Sequence, residues 1–417
     1  MNRVKKIALA GLLAAGSVQA DDDLNALLLA DTATQNRHTS SDIHWYAESA
    51  IEHAVARNDF SANHNQRLSL DLLLDKKISA EWRALLADRL DFNWRERPGR
   101  QDAVNTLKEA YLSWQPGLEQ MIDFGRINAY QGVANGYNPT DFFRTDAVRS
   151  VISVDPSSLK KNRMGSVMLR AQKLWAEGSI TAMYSPKISE QGNTAALNPD
   201  FGATNHQQRW LLALSQQFTK DIAPQLLIFG SKEQSPQIGL NLTTLVNDAT
   251  VAYFEWSGGR LPSLMSQALL LPDDTAFRQH LSTGVTYTTE NKLSLTAEFE
   301  FNGTAPYQAQ WAMLRRGSPL NYTRYRMLQQ SAQELATRQE MFLYANWQDV
   351  MFPHLDLSAM LKMSLVDHSR LTWLEARYHL DRVDLALQFQ VNSGDAVSTY
   401  GATPQQRSWQ ASLRYYF

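Results

Sequence analysis

The sequence predicts an all-β protein: a transmembrane, antiparallel, up-and-down β-barrel of about 18 strands with long extracellular loops. Three observations carry the prediction. From Ile43 onward, segments of about ten residues alternate apolar and polar side chains, the period that sends neighbours to opposite faces of a strand. The connections between segments alternate between short turns and long loops, as in a barrel whose short turns share one end. The polar face carries ionised side chains at alternate positions. An Arg or Lys turned to lipid at the midplane would cost about 2–4 kcal/mol, so that face is expected to be wet.

The totals admit this architecture. The chain has 417 residues, a formal charge of -2, 20% charged residues, no cysteine and a mean hydropathy of -0.38. That hydropathy excludes a helical membrane protein but not a barrel, whose lumen and loops are polar. The near-neutral balance gives no support for nucleic-acid binding, and the lack of cysteine excludes disulfides, thiolate metal sites and thiol nucleophiles. Arg3, Lys5 and Lys6, the apolar run 7–18 and the small-residue site Val18-Gln19-Ala20 read as a secretory signal. Residues 1–20 are therefore expected to be removed on export, with no cysteine there for a lipid anchor. Residues 21–42 are expected to form a periplasmic leader and 43–417 the barrel, without a linker or second domain.

Taken in order, Trp45, Ala47, Ser49 and Ile51 oppose His44, Tyr46, Glu48 and Glu52, and Leu68, Leu70, Leu72 and Leu74 oppose Arg67, Ser69 and Asp71. Residues 81–94 are untidy, because Asp88 interrupts the apolar face, and a helix is possible there. Strands are expected over 106–114, 121–129, 166–174, 179–184, 209–217 and 225–231. They continue over 245–256, 261–271, 277–288, 293–301, 341–349, 355–365, 371–380, 383–391 and 407–417. Short turns are expected at Asp75, Pro116, Ala176, Thr219, Ser257-Gly258-Gly259, Thr289, Phe352-Pro353 and Asp381-Arg382. Long loops are expected over 130–165, 186–208, 232–244, 303–340 and 393–406. The polar phase assigns Glu48, Glu52, Asp71, Glu109, Arg170, Glu255, Glu298, Glu300, Lys362, Glu375, Arg377, Asp384 and Arg414 to the lumen. Trp45, Trp114, Trp256, Trp347 and Trp409 suit interfacial girdles.

Two loops are long enough to fold inward. The first carries Arg144, Arg149, Lys160, Lys161 and Arg163 against Asp141, Asp146 and Asp155. The second carries Arg315-Arg316 and Arg324 and Arg326 among tyrosines, with a short helix expected over 325–338. Guanidinium forks among aromatic rings suit carboxylates, phosphates or sugars; a solvated loop touching lipopolysaccharide phosphates would carry the same residues. The candidate solute contacts are thus Arg144, Arg149, Arg315, Arg316, Arg324 and Arg326 on loops, with Arg126, Arg170, Arg377 and Arg414 on strands.

Two stretches resemble a known group. In Trp409, Ala411, Leu413, Tyr415 and Phe417 the apolar phase ends on a terminal aromatic, which resembles the closing strand of Gram-negative outer-membrane barrels. There the terminal aromatic is read by the barrel-assembly machinery. The run Phe124-Gly125-Arg126-Ile127-Asn128-Ala129-Tyr130-Gln131-Gly132, then Asn138-Pro139-Thr140-Asp141-Phe142-Phe143-Arg144, is similar to a strand end and loop start in alginate-export-like and other porin-like barrels. Gln131 stands where many of those proteins carry Trp. The resemblance implies a cell outer-membrane location and a channel for passive diffusion or export of polar or anionic solutes or polysaccharide. Alginate exporters line their pore with a dense arginine path, unlike the mixed lumenal charges here.

Other classes leave less trace. The nine histidines are scattered, and no G-x-S-x-G, H-E-x-x-H or P-loop is present, so a barrel-wall lipid hydrolase has no motif to rest on. A non-conducting adhesin or assembly barrel would share most of this pattern. The expectation is a non-enzymatic channel without cofactor or metal, in contact with outer-membrane lipid and lipopolysaccharide.

Overall fold

A computed structural model describes residues 42–95, 102–219, 221–232 and 234–417. The expected signal peptide, and the expected leader apart from Asp42, lie outside the described residues. The first strands are β1 (Ile43–Ala56), β2 (Ala62–Lys77), β3 (Trp82–Arg95), β4 (Ala103–Gly117), β5 (Gln120–Ile127) and β6 (Ser166–Trp175). Next come β7 (Gly178–Ser185), β8 (Arg209–Gln216), β9 (Gln225–Ser231), β10 (Gln237–Asn247), β11 (Thr250–Leu261) and β12 (Ala276–Thr288). The last are β13 (Leu293–Asn302), β14 (Gln339–Trp347), β15 (Leu355–Ser364), β16 (Arg370–His379), β17 (Val383–Ser393) and β18 (Gln405–Tyr416). Among the described residues five short helices sit in loops: α1 (Pro156–Lys161), α2 (Phe201–Thr204), α3 (Leu264–Leu269), α4 (Gln308–Arg316) and α5 (Pro319–Ser331).

Each strand pairs antiparallel with the next, and β1 pairs with β18, so an 18-stranded sheet closes on itself without an edge. Register keeps the two faces apart. Leu68 and Leu70 are exposed on the outside, while Ser69 and Asp71, which alternate with them, are buried inside. The closing seam is held by charge as well as by the ladder. Glu48 on β1 accepts from Arg67 at 2.8 Å, Arg89 at 3.1 Å and Arg414 at 2.9 Å, the last lying directly opposite it on β18. Asp71 takes Lys108 at 2.8 Å. These bonds are charge-assisted and mutually satisfied, the condition under which buried ions are tolerated. At the short-turn end Trp45 stacks on Phe417, centroids 3.6 Å apart, and Trp82 on Trp114 at 6.0 Å.

Several expectations need correction. Residues 81–94 are strand, not helix; Asp88 faces outward, opposite Leu107, beyond the point where β4–β5 pairing ends at Ala110, and Asn105 donates to both its oxygens. The expected loop 232–244 is mostly β10, and the Ser257-Gly258-Gly259 turn is instead a straight part of β11, paired with Gln237, Ile238 and Gly239. The expected strand 261–271 is largely α3. Its Leu264 packs on Trp311, Leu314 and Tyr325 in a small apolar core that ties α3 to α4 and α5 over the barrel mouth. One strand missed and one wrongly assigned leave the count unchanged. The helix expected over 325–338 lies earlier, as α4 and α5.

Candidate functional site

The connection between β5 and β6, residues 128–165, does not stand out in solvent. It runs back across the lumen, and two wall glutamates hold its backbone. Glu255 on β11 accepts the Val133, Ala134 and Thr140 amides at 2.9, 3.0 and 2.8 Å, the Thr140 hydroxyl at 2.9 Å and the Asn138 side chain at 3.2 Å. Two strand positions on, in β13, Glu298 accepts the Asn135 and Gly136 amides at 2.6 and 2.8 Å and the Tyr253 hydroxyl. A carboxylate is acceptor-only, with about four lone-pair sites, so it matches consecutive N–H donors. Close approach requires glycine at two places. Gly132 has φ +106°, and a Cβ there would stand 2.5 Å from both Glu255 oxygens; a Cβ on Gly136 would run into Glu300 Oε1. The stretch Asn138-Pro139-Thr140-Asp141 therefore has a local reason. Asn138 bridges Ala134 O and Glu255, Pro139 O accepts Ser257 Oγ, Thr140 also reaches Asn241, and Asp141 pairs with Arg163 at 2.5 Å.

The loop also packs by apolar contact. Phe143, with Phe142 at its margin, joins Ile127, Met168, Leu211, Leu227 and Phe229 in a cluster against β5–β9, the Phe142 and Phe229 rings stacked at 4.6 Å. A further tie runs to the connection after α5, where Arg144 pairs with Glu334 and also donates to Asn138 O. Burial opposes ionisation of Glu334, yet the Arg144 guanidinium holds its carboxyl below the usual range. Burial pushes the Tyr137 hydroxyl well up, reinforced by the Glu334 carboxylate it donates to at 2.5 Å.

Of the ten candidate arginines, most hold structure together. Arg126 is 1% exposed and donates to Leu107 O, Pro199 O and Asp200 O. Arg149 donates to the carbonyls of Asn105, Asn193, Ala195 and Asn198. Arg144 is committed to Glu334, and Arg170 pairs with Asp123 at 2.7 Å. On the outer helices Arg315 pairs with Asp395 at 2.9 Å and Arg326 donates to Thr399 O, while Arg316 and Arg324 are exposed. None of these eight lines the lumenal cavity; Arg377 and Arg414 do.

That cavity, of about 630 Å³, lies between the inward loop and the short-turn end. Loop residues 130–133 and 152–162 contribute one side. Wall residues close to the short turns, such as Thr288, Ser294, Asn346 and Asp356, contribute the other. Its Arg and Lys side chains are Arg67, Lys160, Lys161, Arg377 and Arg414, with His379 beside them paired to Asp356 and Asp384; its carboxylates are Glu48, Asp155, Asp221, Asp356 and Glu375. Many are already paired, Arg377 with Glu375 at 2.9 Å and Arg414 with Glu48. Lys160 donates to Ala134 O at 2.9 Å, and burial lowers its pKa against the pull of Glu255, Asp141 and Glu298. The lining is mixed rather than basic. Aromatic side chains of Tyr130, Tyr344, Phe342 and Trp373 face the same space.

The alternation of side chains assigns Glu255 and Glu298 to the lumen but no role there, because their partners are backbone amides that no residue type announces. Lys160 and Lys161 are not among the expected solute contacts; Asp155 followed by Pro156, the cap and first turn of α1, is the sequence signal for the short helix that presents them. Ser257 and His280 approach to 3.4 Å, but the Ser257 hydroxyl donates to Pro139 O and both residues are buried. No group of three or more His, Asp or Glu placed to hold a metal ion occurs among the described residues.

No protein-family model and no curated protein matches the chain. Solved structures do. OccAB1 of Acinetobacter baumannii is similar with a TM-score of 0.59 at 9% identity, over 90% of this chain and 96% of that one. OpdQ of Pseudomonas aeruginosa gives 0.55 at 9% identity over 90% and 99%, and OccAB4 of Acinetobacter baumannii 0.54 at 9% over 92% and 100%. These are outer-membrane porins. At such identities the likeness establishes the architecture: the chain has the closed 18-stranded antiparallel barrel fold seen in outer-membrane porins.

Proposed function

We propose that this protein is a passive channel of the Gram-negative outer membrane for small polar solutes, narrowed by the inward loop 128–165. The observation that carries the reading is the wall itself. Apolar side chains are exposed outside, ionised ones are sequestered inside, and the space between wall and loop is lined by polar groups. No reaction is assigned to it; movement follows the solute gradient. A cavity of about 630 Å³ suits a small solute, not a polymer in transit, which favours diffusion over polysaccharide export. Five lining Arg and Lys side chains and His379 against five carboxylates favour weak ion selectivity. In this reading the girdle aromatics meet the membrane interfaces, the long loops meet lipopolysaccharide, and Phe417 is the contact for the barrel-assembly machinery.

Reconstitution into planar bilayers tests the proposal. Discrete conductance steps are expected, with an anion-to-cation permeability ratio close to one in a salt gradient. Liposomes carrying the protein are expected to swell in small sugars and to resist long oligosaccharides. A folded, inserted protein that gives no steps would support the non-conducting alternative, an adhesin or assembly barrel.

A further inference from the structure

The wall beneath the inward loop holds carboxylates in a number that the surrounding donors do not satisfy. Glu298, Glu300 and Glu340 are 2%, 0% and 3% exposed. Glu298 has a full set of partners in the Asn135 and Gly136 amides and the Tyr253 hydroxyl. Glu300 has none, and both its oxygens are buried without a donor. Directly opposite it across the ladder are Ser282 on β12, whose hydroxyl is also unpartnered, and Glu340 on β14. Along β13 Glu300 stands two residues from Glu298, on the same inward face. The surrounding groups are few: Lys362 on β15, 4.0 Å from Glu340 and donating to Gly136 O at 3.0 Å; Tyr253 on β11; Tyr400 beside Glu340 on the outer loop; and Arg326 and Asp367 acting on Glu340 from farther out. On the loop side Lys160 acts on Glu298, which leaves one ammonium, Lys362, for Glu300 and Glu340.

An ionised carboxylate buried without a donor costs several kcal/mol, and two side by side cannot both ionise cheaply. A single proton resolves the conflict. Placed on Glu300, it turns an orphan acceptor into a donor and leaves Glu298 to accept from the loop amides. The loop sits on this pair with no slack, since Gly136 has no room for a Cβ against Glu300. We propose that Glu300, beside the loop-holding Glu298, is a proton-operated latch: a proton on Glu300 keeps Asn135 and Gly136 seated on the wall, and its loss to lumenal water frees that part of the loop. Ionisation of Glu300 leaves adjacent negative charges under a backbone that already fills the space. The relief available is for Gly136 to lift, admitting water to both carboxylates. Closure therefore belongs to low pH and opening to high pH. Glu255, which holds Val133, Ala134 and Thr140, is not part of the switch, so the loop pivots without leaving the barrel. The inference rests on the channel reading above and concerns its regulation.

The test combines hydrogen exchange of the loop with conductance, on wild type and Glu300→Gln, between about pH 5 and about pH 9, the range over which buried glutamates titrate. The Gln side chain keeps the shape and carries a donor at every pH. In wild type, protection of the amides at 135–136, corrected for intrinsic exchange, is expected to fall by up to about tenfold per pH unit once opening is coupled to loss of one proton. Conductance rises in step. In Glu300→Gln both stay at their low-pH values. Wild-type protection that is flat across the range, or a Gln variant that follows wild type, overturns the latch. The two readouts also separate the claims. Conductance steps with pH-independent protection sink the latch and keep the channel; pH-dependent protection without steps keeps the latch and sinks the channel.

Discussion

Glu255→Gln is the perturbation that the geometry makes most informative. In the native protein one carboxylate oxygen takes the Val133 and Ala134 amides and the Asn138 side chain, and the other takes the Thr140 amide and hydroxyl. A Gln side chain of the same shape must turn its NH₂ toward one of these sets. In the less costly orientation it faces Thr140, whose hydroxyl can rotate to accept but whose amide cannot. One buried amide is then orphaned, at about 1–3 kcal/mol, and the bonds that remain lose their charge assistance, roughly half of their strength. Together these give about 3–4 kcal/mol of lost docking energy, or roughly 10²–10³ in the population of the undocked loop. The ladder hydrogen bonds of β11 do not involve the side chain, so the barrel itself is expected to fold and to keep its resistance to detergent unfolding. Hydrogen exchange resolved to residues 133–140 checks the magnitude. Unchanged protection at Val133, Ala134 and Thr140 in a folded Glu255→Gln barrel would refute the view that this carboxylate anchors the loop.

Other substitutions separate structural from lumenal charges. Arg414→Gln and Arg377→Gln are each expected to shift the reversal potential in a salt gradient toward cations, because both side chains line the cavity. Arg149→Gln is expected to leave it unchanged while raising exchange at residues 193–198, whose carbonyls Arg149 holds. Glu48→Ala would leave Arg67, Arg89 and Arg414 without their shared carboxylate, and a loss of about 3–5 kcal/mol is expected in urea unfolding from liposomes. The Arg144–Glu334 tie should fail in acid. Because the folded carboxyl is held below its unfolded value of about 4.3, its stabilisation is complete above that pH and disappears as the pH falls through the lower folded value. Exchange near residues 137–144 is expected to rise in that window in wild type, and already to be high, without the acid step, in Arg144→Met.

The barrel was legible because its physics repeats. Every second side chain must meet lipid or water, and the phase survives most local exceptions. Two failures show what periodicity does not carry. In β10 the inward positions are Gln237, Gly239, Asn241 and Thr243, a set that looks like a loop, yet Gly239 is needed there because a Cβ would stand 2.9 Å from the Thr140 methyl of the inserted loop. Leu264 to Leu269 read as strand because a short apolar run does not distinguish strand from helix; the run buries itself against Trp311 and Tyr325 in the loops, not in lipid. The site was less legible than the fold. Arginine in a long loop signals charge, but whether it meets a solute or a carbonyl depends on chain segments far away, such as Pro199 for Arg126 and Asn198 for Arg149. The glutamates that organise the lumen bind backbone amides, and any residue type supplies those.

A wall that is oily outside and wet inside must alternate its environment at every residue of a strand. Spin labels placed one at a time from Leu293 to Phe301 on β13, in protein reconstituted in lipid, test this directly through collision with oxygen, which partitions into the bilayer, and with a polar nickel chelate. Labels at Leu293, Leu295, Ala297 and Phe299 should favour oxygen, and labels at Ser294 and Thr296, which line the cavity, the chelate. Equal exposure of both sets to the chelate, or loss of the two-residue period, would contradict it.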